Sequence, residues 1–533
     1  MKTTLFYHGF CHSMAGQEDE VFSAFEVTDG RIGRTFRAAE AESINLSDYA
    51  EVTDFQGRHV YPCLIDGHTH MLLTIGVMAT GFNACEITKS GVEPHTISGV
   101  EQRVRAYASR QKPGALIAIN NYIRTAIDER RMPTREEMDD WGGGRPMVIY
   151  NIDGHSTSLS SSMLKLIGID PEGHSGVLTG EENERAQGRL IDRIGGAISL
   201  PALARGIAAF HNACAAYGIS VVGALEGNGD SEKDVTTKLI IRLARHFRVG
   251  VRLYLQYTDF ERVRPYLSMM KHRRIGGCGD WEMDGASGSH SAAFAEPYID
   301  TGKTSPCYYD QQTVDDLCAR AEAEGCQIAS HAIGDLAIRR LVDALERMNS
   351  PALHRLEHAE FADDETFRRI CAGNYAVMAQ PGYSWIDKRY LHTYEQALPQ
   401  DIRDRMKFRS YYDAGVLICG SSDSPVQDMD PYLQMLGMVE FYNEQESLTP
   451  YQALKTYTDY AARAILEGDE RGTLEEGKVA DFFLADADFA ALRPAEVVSF
   501  RPVQTYYAGR PVRPMKGTVP ELLALFLTKP KKI

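Results

Sequence analysis

Paired cysteines, long apolar runs and an excess of basic charge are all missing from this 533-residue chain. Its ten cysteines are scattered, with no Cys-x-x-Cys pair and no dense framework. That excludes a disulfide scaffold and reads as reduced thiols in a cytoplasmic protein. No apolar stretch approaches the ~20 residues that cross a bilayer. The N-terminus has neither a basic segment leading into an apolar one nor a small-residue cleavage site, so no membrane span and no secretion signal are expected. Lys and Arg number 57 against 73 Asp and Glu, a net charge of -16. Nucleic-acid binding depends on cations that neutralise phosphates, so that class is excluded, and the acidic balance serves solubility. The basic ending Lys529 to Ile533 is a short solvated tail. Fixed-period repeats and low-complexity segments are also absent.

What is present is enough apolar material for large cores, 44% of residues. At ~150 residues per domain the length allows about three units, or one large barrel with additions. Residues 1 to about 59 read as short strands with turns, and the last 60 or so have the same texture. Neither end makes a core alone. Between them helical patterns recur. Leu200 to Tyr217 places Leu203, Ile207, Phe210, Cys214 and Tyr217 on one face, Thr313 to Glu324 and Gly334 to Met348 are also helical, and Pro450 opens a helix with Thr449 as its N-cap.

Two histidines separated by one residue close the apolar strand that ends Asp66-Gly67-His68-Thr69-His70. Alternate residues of a strand share a face, so His68 and His70 present two imidazoles side by side, and imidazole is the commonest zinc ligand. An isolated pair serves equally as hydrogen-bonded structural histidines. Three later segments decide between these readings. Apolar stretches ending at His331, at His358 and at Asp423 have the same form, each a strand closing on one possible ligand. In a closed barrel of parallel strands the C-terminal ends converge on one mouth, where four histidines and an aspartate would form a metal centre.

At these residues the chain resembles the amidohydrolase superfamily and, within it, amidohydrolase family 3, the YtcJ-like metal-dependent hydrolases. The motifs run from Asp66-Gly67-His68-Thr69-His70 through Asp153-Gly154-His155, Asp284-Gly285-Ala286-Ser287-Gly288-Ser289, His331-Ala332-Ile333-Gly334-Asp335, Glu357-His358-Ala359 and Ser422-Asp423-Ser424-Pro425-Val426 to Gly472-Thr473-Leu474-Glu475-Glu476-Gly477. The resemblance implies an α/β fold: a (β/α)8 TIM barrel over 60-469, a small β-sandwich built from 1-59 plus 470-533, and an inserted α/β region at about 80-200. It also implies a divalent metal, zinc foremost, as one or two ions. His68, His70 and Asp423 would hold one ion and His331 and His358 a second. With a single ion, His358 would instead stabilise the transition state. Asp423 is the expected proton shuttle, taking a proton from metal-activated water and giving it to the leaving nitrogen.

The chain departs from the family where relatives carry a metal-bridging lysine, four residues before the Asp-Gly of the fourth-strand motif. Here that position is Asp280. Asp280 and Glu282 are both candidates for a carboxylate that replaces the bridge, and the rival reading makes these acids outlying groups around a single ion. Asp284 shares their strand face by alternation. His155, His290, Asp284 and Trp385 are expected to bind substrate, with structural roles for these residues left open; Tyr383 and Gln380, after the same apolar strand as Trp385, are candidates of the same kind. The expected reaction is hydrolysis of a non-peptide C-N bond, foremost an amide of a small molecule. Ring deamination is the runner-up, and a non-catalytic metal-dependent ligand-binding protein is the reading from another class. A small-molecule substrate is the expected partner, without nucleic acid or membrane, and a homo-oligomer is left open.

Overall fold

The structure is a computed structural model describing residues 2-88, 91-227 and 234-533. Its centre is one sheet of eight strands: β1 Leu64–Thr69, β2 Ile219–Glu226, β3 Gly250–Leu255, β4 Arg274–Glu282, β5 Gln327–Ala332, β6 His354–His358, β7 Tyr375–Ala379 and β8 Leu417–Gly420. They pair in sequence order and all in parallel. A parallel bridge between Thr69 and Ser424 closes the ring from β1 to the segment after β8. Strands β1 and β2 are buried along their whole length, as expected where both faces of a parallel sheet are covered.

Local chemistry sets the helices around this ring. Leu200–Tyr217 starts at Ser199, whose hydroxyl accepts the Ala202 N–H, carries Pro201 in its first turn and stops at Gly218 in the left-handed region. Asp335–Met348 ends at Asn349, also left-handed. Pro450–Thr456 begins at Thr449 with a reciprocal cap to Gln452. Among the described residues no single helix is long and apolar enough to cross a membrane; Gly180–Ala197 and Leu200–Tyr217 reach that composition only as a pair, bent by 109°.

The chain ends meet beside the barrel. A six-stranded sheet joins Phe10–His12, Val21–Phe22 and His59–Pro62 to Phe482–Ala485, Gln504–Tyr507 and Arg510–Pro511. A second sheet, Thr3–Tyr7, Ala24–Thr28, Arg31–Phe36 and Glu51–Asp54, packs against it. Phe6, Phe25, Phe55 and Phe482 fill the space between, with the Phe6 and Phe482 rings edge to face at 5.2 Å.

Between the helices Met71–Thr80 and Leu200–Tyr217 the chain builds an α/β region with cores of its own. Its sheet runs Ile117–Tyr122, Met147–Asn151, Ser156–Leu159, Val177–Thr179. The loop between the second and third of these strands carries His155, and the helix Gly180–Ala197 carries Glu184.

Candidate metal centre at the barrel mouth

Asp66 explains why the first motif sits where it does. Its carboxylate accepts the Ser422 N–H at 2.9 Å and the Ser422 hydroxyl at 2.6 Å, tying the end of β1 to the residue before Asp423. Gly223 lets β2 close in on β1, because a Cβ there would lie 2.1 Å from the Gly67 carbonyl oxygen. The Asp423 N–H then donates to the His68 carbonyl and the His70 N–H to the Ser424 carbonyl, both at 2.8 Å. The barrel seam and the candidate ligands are therefore the same residues.

Side chains converge there. Asp423 Oδ1 lies 3.1 Å from His68 Nε2 and 3.2 Å from His70 Nε2. Ligand atoms about 3.4 Å apart are what a tetrahedral ion with ~2.1 Å bonds requires, within a few tenths of an ångström of these separations. The opposite ring nitrogens are engaged: His68 Nδ1 donates to Glu357 Oε2 at 2.6 Å and His70 Nδ1 to the Leu225 carbonyl at 3.2 Å. Each hydrogen bond fixes the tautomer that leaves Nε2 free as a ligand. Glu357 is held by a two-pronged ion pair from Arg355, at 2.7 and 2.8 Å. Burial would raise the Glu357 carboxyl, but Arg355 and His68 hold it down at about 2.

A second group adjoins the first. The rings of His70, His68, His358, His331 and His155 form a chain with successive centroids 5.6, 5.0, 4.4 and 5.1 Å apart. His155, Glu282 and His331 bring ligand atoms within 4.8 Å of one another, as do His68, His358 and Cys278. His358 Nδ1 donates to Gln380 Oε1 at 2.7 Å, and His331 Nε2 faces the Gly285 carbonyl at 3.4 Å. The remaining atoms, His358 Nε2 and His331 Nδ1, are buried without a hydrogen-bond partner, as are Glu282 Oε2 and Asp423 Oδ1. Four unpartnered polar atoms at one spot are costly unless something binds them, and an imidazole-carboxylate set suits a divalent transition metal.

Two of the histidines are held in the neutral form that a ligand needs, whereas burial would lower His68 but the neighbouring Asp423 lifts it well above the ordinary imidazole range. Burial, reinforced by the positive charge of His68, pushes the His358 imidazole down to about 4, and burial with His358 and His155 nearby drives His331 well below the usual range. Both stay neutral, as ligands must. Burial would raise Asp423, yet His68 and His70 hold it well below the ordinary carboxylate range. Burial opposes the charge on His155, but Glu184, 3.0 Å away, lifts it to about 10.

Backbone strain marks two of these positions. His358 and Asp423 have φ of 68° and 55°, a region that non-glycine residues rarely occupy. The turn at His358 matters geometrically: simple alternation would send Glu357 and His358 to opposite faces, whereas the reversal brings both inward.

The other expected residues are placed as follows. Asp280 is half-buried and outside these groups; its carbonyl accepts the Tyr309 hydroxyl at 2.9 Å. Asp284 is fully buried and accepts the N–H groups of Ala293, Ile333 and Gly334, bracing the loops after β4 and β5. His155 lines a polar cavity of about 50 Å³ with Asp153, Tyr383, Arg405 and Asp423. His290 lies outside that wall, bonded to Arg124 at 2.6 Å and Asp300 at 2.9 Å. Trp385 is outside it as well, its ring covered by the Arg389 guanidinium at 4.0 Å, while Tyr383, two residues earlier, reaches Asp423 Oδ2 at 3.4 Å. Sequence reasoning missed Glu357, Cys278 and Glu184. Only Glu357 carried a signal, its place beside His358.

Comparison with known proteins bears on the family and the fold. The model of the amidohydrolase family matches residues 51-513. The chain is 24% identical to the putative amidohydrolase YtcJ of Bacillus subtilis, over 92% of this chain and 96% of that protein. It is also 24% identical to an N-substituted formamide deformylase of Arthrobacter pascens, over 91% and 93%. Among solved structures, an uncharacterised metal-dependent hydrolase from Pyrococcus horikoshii superposes with a TM-score of 0.70 at 19% identity, covering 93% of this chain and 99% of that one. With the match extending over nearly the whole chain, this protein belongs to the amidohydrolase family.

Proposed function

We propose that this protein hydrolyses a non-peptide C-N bond, an amide of a small molecule, with the help of a divalent metal, zinc foremost. The observation that carries the reading is the convergence of His68 Nε2, His70 Nε2 and Asp423 Oδ1 at ligand spacing, beside three further buried polar atoms, on His331, His358 and Glu282, that have no partner. The similarity to an N-substituted formamide deformylase supports amide as the bond class.

His68, His70 and Asp423 would hold one ion; His331, His358, Glu282 and His155 surround the place of a second. Such an ion lowers the pKa of a coordinated water to about 7 and polarises a carbonyl. The chain's own residues supply the rest. Asp423, ionised and facing the polar cavity, accepts the proton of the attacking water and returns it to the departing nitrogen. Tyr383 orients Asp423 through its hydroxyl. Glu357 and Arg355 hold His68 in its ligand tautomer.

Small amides, cyclic ureas and aminated rings, assayed on zinc-loaded and metal-stripped protein, test the proposal. Amide turnover that disappears on stripping and returns with zinc is the expected result. Release of ammonia from the rings, with the amides untouched, would move the reaction to deamination.

A further inference from the structure

A second cavity, of about 150 Å³, has the candidate ligand His70 in its wall. The His70 side chain keeps 21% of its surface exposed while that of His68 keeps none, and His70 lines this cavity rather than the polar one. The walls are apolar. Leu72, Leu73 and Val77 come from the helix after β1, Ile191 and Ile194 from the inserted region, and Leu203 from the helix before β2; all six are only half-buried. Apolar side chains facing a shared void forgo both burial and contact energy, which a core normally recovers by closing up. No Lys or Arg lines this cavity among the described residues.

Several of its polar groups are already engaged. Glu226 accepts the Leu72 N–H at 2.9 Å, and burial pushes its carboxyl up to about 8, so it is largely protonated at neutral pH. Gln256 donates to the Gly227 carbonyl at 2.9 Å and accepts from the Cys278 N–H at 3.3 Å. The Tyr150 hydroxyl, in the same wall, is buried without a hydrogen-bond partner. Among the described residues this wall is largely apolar, offers no cationic group to hold a phosphate or carboxylate, and presents the unpartnered Tyr150 hydroxyl. It suits a neutral group with an apolar body and one polar atom. An apolar cavity near 150 Å³ is large enough to hold benzene.

We propose that this chamber receives an apolar substituent of the substrate, up to the size of one six-membered ring, while the reacting carbonyl lies at the His68–His70–Asp423 centre and the Tyr150 hydroxyl bonds the polar atom that joins them. The proposal rests on the hydrolase reading for its word substrate; the chamber itself can be tested without turnover.

The test is calorimetric titration of benzyl alcohol, with propan-1-ol as the smaller probe, into zinc-loaded full-length protein. Gly195 also lines the chamber, at an exposed helical position where an added Cβ meets only Thr236 at 3.7 Å, so Gly195→Trp fills the space without disturbing the core. Val77→Trp fills it from the helix after β1 should the first variant fold poorly. Benzyl alcohol should bind on the order of tenfold more tightly than propan-1-ol, following the apolar area buried. Either Trp variant should abolish that preference, and Tyr150→Phe should weaken benzyl alcohol severalfold. Binding that survives metal stripping supports the chamber independently of hydrolysis. Equal binding to the native protein and a folded Trp variant, or no saturable binding at all, would overturn the proposal.

Discussion

Asp423 meets His68 twice, through a main-chain N–H that donates to the His68 carbonyl at 2.8 Å and through a carboxylate oxygen 3.1 Å from the His68 imidazole. Closing the barrel and assembling the candidate centre are thus one event. Anything that loosens the seam between β1 and β8 loosens the ligands too.

The Arg355–Glu357–His68 relay gives the first prediction. Glu357→Gln keeps the shape but loses the charge that fixes the His68 tautomer and balances Arg355. Zinc affinity should fall by roughly 10- to 100-fold, the usual cost of losing a partner behind a metal ligand. Competition with a fluorescent chelator reads this directly; unchanged affinity would mean that the relay only supports the fold.

The second prediction concerns metal count. His155, Glu282 and His331 lie at one end of the imidazole chain and His68, His70 and Asp423 at the other. Glu282→Gln and His331→Ala should each lower bound metal by about one equivalent while the remaining ion stays, by the ligand-loss logic of metal affinity. Mass-spectrometric metal analysis that finds the same count in both variants as in the native protein would leave these residues without a metal role.

Much of this arrangement was legible in the sequence. His68 and His70 share a face because strand residues alternate, and Leu200–Tyr217 is marked by its apolar spacing. The fourth strand was harder to read, for a physical reason. Gly277 pairs with Ser330, but the next rung joins Glu282 to His331, so Cys278 to Trp281 bulge out and the alternation that grouped Asp280, Glu282 and Asp284 is interrupted. Counting back from Asp284 therefore lands on Asp280, outside the ligand groups, while Cys278 comes to lie 3.7 Å from His68 Nε2. Glu184 reaches His155 only through the packing of the inserted helix, and no local pattern reports such a contact.

A third prediction concerns pH and stability away from the site. Glu467 pairs with Arg252 and Arg471 and lies 3.7 Å from Arg274. Burial would raise its carboxyl, but the bond to Arg252 and the surrounding guanidinium charges hold it at about 2, against an ordinary value near 4.5. A carboxyl depressed on folding stabilises the protein above its unfolded pKa, and that contribution fades as pH falls from about 4.5 towards 2. The shift corresponds to roughly 3 kcal/mol at neutral pH. Glu467→Gln should lower the urea midpoint at pH 7, and its deficit should shrink steadily towards pH 3. A deficit independent of pH would refute the assignment.

The fourth prediction separates ligand from proton carrier. Asp423→Asn retains an oxygen for coordination but loses the basic carboxylate, so turnover should fall by roughly 10²-fold or more, as for loss of general acid-base catalysis. Metal content and melting temperature should change little. Near-normal turnover in a metal-loaded Asp423→Asn protein would transfer the proton to another group, with Glu282 and His358 the next to substitute.

The central claim is that His68, His70 and Asp423 hold a divalent ion. Its most direct test is the metal content of native protein and of the His68→Ala, His70→Ala double variant, each loaded with zinc, desalted and analysed by mass spectrometry. The native protein should retain at least one equivalent per chain, and the double variant should hold about one fewer while remaining folded by circular dichroism. Native protein that catalyses hydrolysis without bound metal, or a folded double variant that keeps the full native count, would contradict the claim.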